Sequence, residues 1–352
     1  MKKTIAVIFG GRSPEYHVSL QSAAAVIRNI NTEKYKVVMT GIDSLGNWHV
    51  FEGSTEEIEK DTWKDSSALK PAVLSLDHEG THCLLTFGEE GQDMIPIDAA
   101  FPVMHGAYGE DGRLQGALEM AGIPVIGCGM MASALCMDKL LAHRIASSCG
   151  IPCAEGTCVN RYDENTRKAA EAIGYPLYVK PLRAGSSYGI SRVCSSEELE
   201  EAVRNALRYD STVIMEEEIR GFETGCAVIE KDGLFMGKAD RIILQDAYYD
   251  YTEKYNPKNS EIQCPAPFDA ELSERIRKAA EAVWHALGCT GFARIDLFVS
   301  EEGKIYFNEV NTIPGFTAHS RFPKMMEAAG ISFPELIDLI IEERLKKEGE
   351  TA

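Results

Sequence analysis

Residues 293–311 constrain the fold more than any other stretch of this chain. Ala293-Arg294-Ile295-Asp296-Leu297-Phe298-Val299 and Lys304-Ile305-Tyr306-Phe307-Asn308-Glu309-Val310-Asn311 flank a short Ser-Glu-Glu-Gly segment. Alternating apolar residues around a glycine predict two β-strands in a tight hairpin, with Gly303 supplying the turn. A turn centred on Glu302-Gly303 sets Asp296 opposite Glu309 and Arg294 opposite Asn311, all four on one face. Facing carboxylates repel. A divalent cation removes that penalty, and Asp, Glu and Asn oxygens are ligands that Mg²⁺ takes alongside phosphates. A solvated acidic face is the plain alternative; Asn311 and the Pro-Gly that follows favour a built metal site.

Strands alternate with helices elsewhere, and the length of 352 residues suits two or three domains. In residues 1–126, Thr4–Phe9 and Tyr35–Ile42 read as buried strands, Glu15–Ile30 as a helix, and Ala99–Met104 as another strand. Gln115–Ala121 reads as helical and Ile123–Ile126 as the start of a further strand. This alternation predicts a doubly wound, parallel α/β domain, with Trp48–Met94 as a hairpin insertion. A second, α+β unit at 127–216 carries helix Ala132–Cys149, strands Leu177–Lys180, Ile190–Val193 and Thr212–Met215, and helix Ser196–Tyr209. The third unit, 217–352, holds strand Gly225–Ile229, a Tyr-rich loop, helix Ala270–Leu287, the acidic hairpin and a C-terminal helix with a frayed end.

A formal charge of −18 argues against a nucleic-acid partner, which needs a basic footprint. After Met1-Lys2-Lys3 the apolar run stops at Gly10-Gly11, too early for a signal peptide, and nothing approaches a membrane span. A cytoplasmic location is expected. The ten cysteines include no Cys-x-x-Cys pair and read as reduced, packed thiols. His78-Glu79-Gly80-Thr81-His82 matches a zinc-protease pattern, but that pattern needs a helix. Here it joins two strand-like runs, so it is expected at a hairpin tip.

No Walker A or G-x-G-x-x-G sequence occurs. The phosphate candidate is Lys180-Pro181-Leu182-Arg183-Ala184-Gly185-Ser186-Ser187-Tyr188-Gly189, a strand-ending lysine followed by small residues with free backbone N–H groups. An ordinary hairpin loop remains the other reading. Glu216-Glu217-Glu218-Ile219-x-Gly221-x-Glu223 leaves the next strand at a domain junction, where ligand clefts form. Carboxylates there can accept hydrogen bonds from an adenine amine or ribose hydroxyls.

Taken in order, these segments resemble the ATP-grasp superfamily and, more narrowly, the D-alanine–D-alanine ligase family. The resemblance spans the chain. It runs through Gly10-Gly11-Arg12-Ser13-Pro14-Glu15-Tyr16-His17-Val18-Ser19, His105-Gly106-Ala107-Tyr108-Gly109-Glu110-Asp111-Gly112 and Met137-Asp138-Lys139. It continues through the Lys180–Gly189 loop, Tyr249-Asp250-Tyr251-Thr252-Glu253-Lys254-Tyr255, and Asn308–Ser320. The resemblance implies an ATP-grasp fold behind an N-terminal α/β domain, and ATP-dependent dipeptide synthesis through an acyl phosphate. It assigns Lys139 and Lys180 to the phosphates, Glu216, Glu217 and Ile219 to the adenine, Glu223 to the ribose, and Phe298 to the face of the base. Two Mg²⁺ ions (or Mn²⁺) would sit on Asp296, Glu309 and Asn311. Arg294 would stabilise the tetrahedral intermediate, and an ion pair neutralising the acidic hairpin is compatible with that role. Glu15, linked through Ser186 and Tyr255, would hold the first substrate's ammonium, with helix capping as its plain role. His105 would lie near the same substrate, and residues 245–263 would form a lid carrying Lys254 and Tyr255. The family also implies a homodimer.

For the second substrate the candidates are Gly315, Ser320 and Arg321. Arg321 stands where ligases making D-Ala–D-Ala carry an apolar residue, and resembles the vancomycin-resistance ligases. The retained Glu253-Lys254-Tyr255 is similar to ligases making D-Ala–D-Ser, and Leu20-Gln21-Ser22-Ala23, Ala134-Leu135-Cys136-Met137-Asp138-Lys139 and His319-Ser320-Arg321-Phe322-Pro323 resemble the VanG group of those ligases, so D-alanine and D-serine are the expected substrates. A housekeeping D-alanine–D-alanine ligase is the alternative, with Arg321 then a rim charge. A non-catalytic nucleotide-binding protein is a remoter one.

Overall fold

The computed structural model describes residues 2–77, 80–88, 91–185, 188–244 and 260–351. Ser186, Lys254, Tyr255 and most of the expected lid lie outside these residues, as do His78 and Glu79.

The first sheet runs β6-β5-β4-β3-β2-β1-β7. Its parallel centre consists of β1 (Lys3–Gly10), β2 (Tyr35–Ile42) and β7 (Ala99–Val103), where apolar runs are buried on both faces. The expected insertion instead extends this sheet. β3 (Trp48–Phe51), β4 (Leu69–Leu74), β5 (Cys83–Gly88) and β6 (Gly91–Pro96) add in antiparallel order to the β2 edge. A short helix, α2 (Thr55–Glu59), follows β3 behind a Ser54/Glu57 capping box. β4 and β5, on either side of the His78–His82 segment, pair antiparallel. Ile123–Ile126 contributes a single parallel bridge, Val125 to Ala100, between Gly122 and Gly127, both at positive φ. Helix α1 (Tyr16–Asn29) and helix α3 (Arg113–Met120) cover the two faces.

The expected helix 132–149 is two helices, α4 (Met130–Met137) and α5 (Lys139–Ser148). Asp138 breaks it: its backbone is extended and its carboxylate accepts the Leu141 N–H at 3.1 Å, an N-cap. The second sheet, in order β10-β9-β11-β8, comprises β8 (Gly156–Val159), β9 (Leu177–Pro181), β10 (Ser191–Val193) and β11 (Val213–Glu217). Helices α6 (Glu164–Ile173) and α7 (Leu199–Ala206) close a separate core over it. The third sheet, in order β13-β12-β16-β17, comprises β12 (Gly221–Glu230), β13 (Leu234–Met236), β16 (Phe292–Ser300) and β17 (Ile305–Asn311). A small ribbon pairs β14 (Arg241–Leu244) with β15 (Ser260–Gln263).

Helices α8 (Ala270–Ala286), α9 (Arg321–Ala328) and α10 (Phe333–Thr351) complete the chain, the last continuing through the residues expected to fray. Phe101 from β7 meets Phe292 and Phe316, with ring centroids 5.9 and 5.6 Å away, so the first and third sheets share one core. Among the described residues no helix is long and apolar enough to cross a membrane.

Candidate functional site

Near its turn the β16–β17 hairpin pairs Val299 with Ile305 and Leu297 with Phe307; beyond a register shift it pairs Asp296 with Glu309 and Arg294 with Asn311. The turn is thus one residue tighter than the spacing predicted, and a bulge at Asn308 restores the expected partners. The bulge matters. Without it Asp296 would face Asn308, and Glu309 and Asn311 would turn to the opposite face.

Asp296 is 1% exposed and lies at the centre of a hydrogen-bonded cage. Arg294 donates from Nε at 2.8 Å to Oδ1 and from Nη2 at 2.7 Å to Oδ2, and Asn311 Nδ2 donates to Oδ2 at 2.9 Å. Across β12, Gly225 pairs with Asp296. A Cβ there would lie 2.8 Å from Asp296 Oδ1 and 2.7 Å from Arg321 Nη2, so the cage requires glycine. Two carboxylates and an amide oxygen on one face are hard donors of the kind Mg²⁺ selects. Among the described residues no three His, Cys, Asp or Glu side chains cluster to hold a metal alone. Asp296, Glu309 and Asn311 therefore fit an ion that takes its remaining ligands from phosphates and water.

Arg321 is 7% exposed rather than a rim charge. Its Nε and Nη2 donate to Asp240 at 2.7 and 2.9 Å, its Nη1 to Glu223 at 2.8 Å, and Nη2 lies 3.5 Å from Asp296. Most of its donors are thus engaged inside the protein. Glu223, expected at a ribose, is an Arg321 partner. Asp240 is fully buried and nothing in its local sequence marks it. Before Arg321, Ser320 Oγ accepts the Thr317 N–H at 3.1 Å, and a Cβ at Gly315 would lie 2.8 Å from that hydroxyl.

The lysines gather on the other side. Lys180 Nζ donates to Glu216 Oε2 at 2.7 Å, both side chains being buried. Burial pushes the Glu216 carboxyl up, but the charges of Lys180 and His143 hold it below its ordinary value. Lys139 Nζ donates to the Ala184 carbonyl at 2.8 Å and stands 3.8 Å from Glu309, so it bridges the loop after β9 and the hairpin. Glu217 accepts the Glu155 N–H at 2.9 Å, which fixes the edge of β11. Ile219 is half-buried, and half-buried Phe298 pairs across the strands with Glu223 and Tyr306.

Glu15 occupies the N-cap position of α1, yet its side chain makes no capping bond. It is 6% exposed, held between two glycine loops: a Cβ at Gly106 would lie 2.3 Å from its Oε2, and one at Gly185 3.0 Å. Glu110, in the same loop as His105, accepts N–H groups from Gly106 at 2.8 Å and Ile313 at 3.2 Å. Burial, and then the Glu15 charge, holds its carboxyl well above the usual range. Residue-by-residue reading missed Glu110 because Glu15 and Ile313, which give it its place in the site, lie far away in the chain.

His105 Nδ1 lies 2.9 Å from the Ile313 carbonyl and Nε2 lies 3.0 Å from Ser22 Oγ. The carbonyl accepts only, so Nδ1 carries the proton and Nε2 accepts the hydroxyl. Burial drives the pKa down to about 4, against the raising effect of the Ile313 bond. Between the ordinary value near 6.5 and this one, the unfolded chain binds a proton that the folded protein does not. Stability is therefore expected to fall as pH drops through that window, by about 3 kcal/mol for this group. Denaturant titrations of wild type and His105→Gln at pH 7 and pH 4 check it; equal pH sensitivity of the two would refute the assignment.

The family model described as D-ala D-ala ligase N-terminus matches residues 4–128, and that described as D-ala D-ala ligase C-terminus matches 145–342. The crystal structure of VanG D-Ala:D-Ser ligase from Enterococcus faecalis is 48% identical, with a TM-score of 0.89, over 98% of this chain and 100% of its own. Vancomycin C-type resistance protein VanC1 of Enterococcus gallinarum is 41% identical over 346 residues, 96% of this chain and 97% of that protein. A D-alanine–D-alanine ligase of Acetivibrio thermocellus is 41% identical over 359 residues, covering 97% of this chain and 95% of that protein.

Proposed function

This chain belongs to the D-alanine–D-alanine ligase family, ATP-dependent ligases of small amino acids, and on that premise we propose that it joins D-alanine to D-serine. The product is a peptidoglycan-precursor dipeptide of the kind expected of a vancomycin-resistance ligase. The likeness to the VanG D-Ala:D-Ser ligase, at 48% identity over nearly the whole of both chains, carries this reading.

The reaction has two displacements. A carboxylate oxygen of D-alanine attacks the γ-phosphorus of ATP, and the bond to ADP breaks. The amine of D-serine then attacks the acyl carbon of D-alanyl phosphate, loses a proton, and inorganic phosphate leaves. Lys139 and Lys180 neutralise the phosphates, Glu216, Glu217 and Ile219 border the adenine, and Phe298 packs on it. Glu15 with Glu110 receives the first ammonium, and neutral His105 fixes the loop between them. Arg294 stabilises the oxyanion of the second step. Asp296, Glu309 and Asn311 would hold Mg²⁺, which when bound would supply Lewis-acid charge at the phosphoryl oxygens.

The housekeeping reading, a second D-alanine in place of D-serine, is favoured by one observation: Asp240 and Glu223 already engage Arg321. Phosphate release with D-alanine alone, then with D-serine or D-lactate, and identification of the products separates the two. Mainly D-Ala–D-Ser is expected. Mainly D-Ala–D-Ala would overturn the choice of second substrate.

A further inference from the structure

Lys139 and His143 are one helical turn apart on α5, so both project from the same face. His143 is buried, and its ring meets Phe307 edge-on with centroids 5.4 Å apart. Nε2 lies 2.7 Å from the carbonyl oxygen of Asn308, which only accepts, so Nε2 carries a proton. Nδ1 lies 3.3 Å from Glu216 Oε1. Glu216 Oε2 takes the Lys180 ammonium, whereas buried Oε1 has no hydrogen-bond partner among the described residues. The lone pair of a neutral imidazole facing that oxygen would repel it and leave it unsatisfied. A donor at Nδ1 removes both costs.

We propose that His143 is a positioning residue for nucleotide binding, a strut donating at one end to Glu216 on β11 and at the other to Asn308 on β17. It rests on the reading of Glu216 as a nucleotide contact. Asn308 is the residue the bulge inserts, and the bulge is what turns Glu309 toward Asp296. The strut therefore fixes the adenine-side strand relative to the strand bearing the metal carboxylate, with Lys139 and Lys180 as the neighbouring cations around Glu216. A structural ring packed edge-on against Phe307 is the competing role, and it predicts different kinetics.

His143→Phe keeps a ring against Phe307 and removes both donors; His143→Lys restores a cation able to donate to both oxygens. For His143→Phe, the KM for ATP and the Kd of a non-hydrolysable ATP analogue are expected to rise together, about tenfold. The KM for D-alanine and kcat should stay within about threefold, and His143→Lys should recover most of the analogue affinity. An unchanged analogue Kd in a folded His143→Phe protein overturns the proposal. So does a parallel loss for ATP and D-alanine that lysine fails to rescue, which is the signature of lost packing. Analogue binding without dipeptide synthesis by the wild type would refute the proposed function alone, because the Kd comparison still tests the strut.

Discussion

Replacing Glu309 by glutamine is expected to lower kcat roughly a thousandfold while leaving the fold intact, because it removes one charge from the proposed metal face and almost no volume. Its side chain is 24% exposed and Lys139 stands 3.8 Å away, so the loss of one charge in a partly solvated pair costs the fold little. Adding Asp296→Asn removes the second carboxylate and should abolish turnover. That variant also loosens Arg294, whose guanidinium is bound to Asp296 by two donors, so its melting temperature must be read beside its activity. Phosphate release measured over a range of Mg²⁺ concentrations gives the result. Activity within tenfold of wild type in the double variant would show that this face does not hold the ion.

Arg321→Leu should destabilise the protein by about 3–5 kcal/mol, the range for breaking a buried ion pair by removing one partner. Asp240 has no exposure and would lose two hydrogen bonds, and Glu223 would lose one. Arg321→Leu combined with Asp240→Asn should recover a large part of the loss, since the stranded charge goes with its partner. Urea unfolding of the two variants measures this; a loss below about 1 kcal/mol for the single variant would contradict the buried cluster. The double variant is also the right background for substrate preference. A shift from D-serine toward D-alanine there would give Arg321 a part in selection, and an unchanged ratio would leave it a structural hub.

The hairpin was legible because alternation, glycine turn and paired acids all lie within twenty residues. Even so, its register rested on two compensating features, a tighter turn and the Asn308 bulge, that no local pattern reveals. The parallel centre of the first sheet followed from its apolar runs. That residues 48–96 extend that sheet did not, because strand order is set by long-range pairing rather than periodicity. α6 was missed although Asp163 caps it, accepting the Asn165 and Thr166 N–H groups; it buries only Thr166 and Ala170, so no large apolar side chain marks its inner face. Asp240, Glu110 and His143 acquire meaning only from Arg321, Ile313 and Asn308, partners far away in the chain. Arg321 was visible as an unusual charge, but its burial was not.

The phenylalanine cluster that joins the first and third sheets has a mechanical consequence. It makes those sheets a fixed base, whereas Leu177, Val179 and Val213 of the second sheet pack with Leu199 and Val203 of α7 in a core of their own. Lys180 and Glu216 ride on that smaller jaw; Asp296 and Glu309 stay with the base, and α5, packed into the base's other core, stays with them. Opening the jaw has to part Lys139 from the Ala184 carbonyl and His143 from Glu216 in one movement. The two residues of α5 thus tie the second sheet to the base across the gap between the two cores.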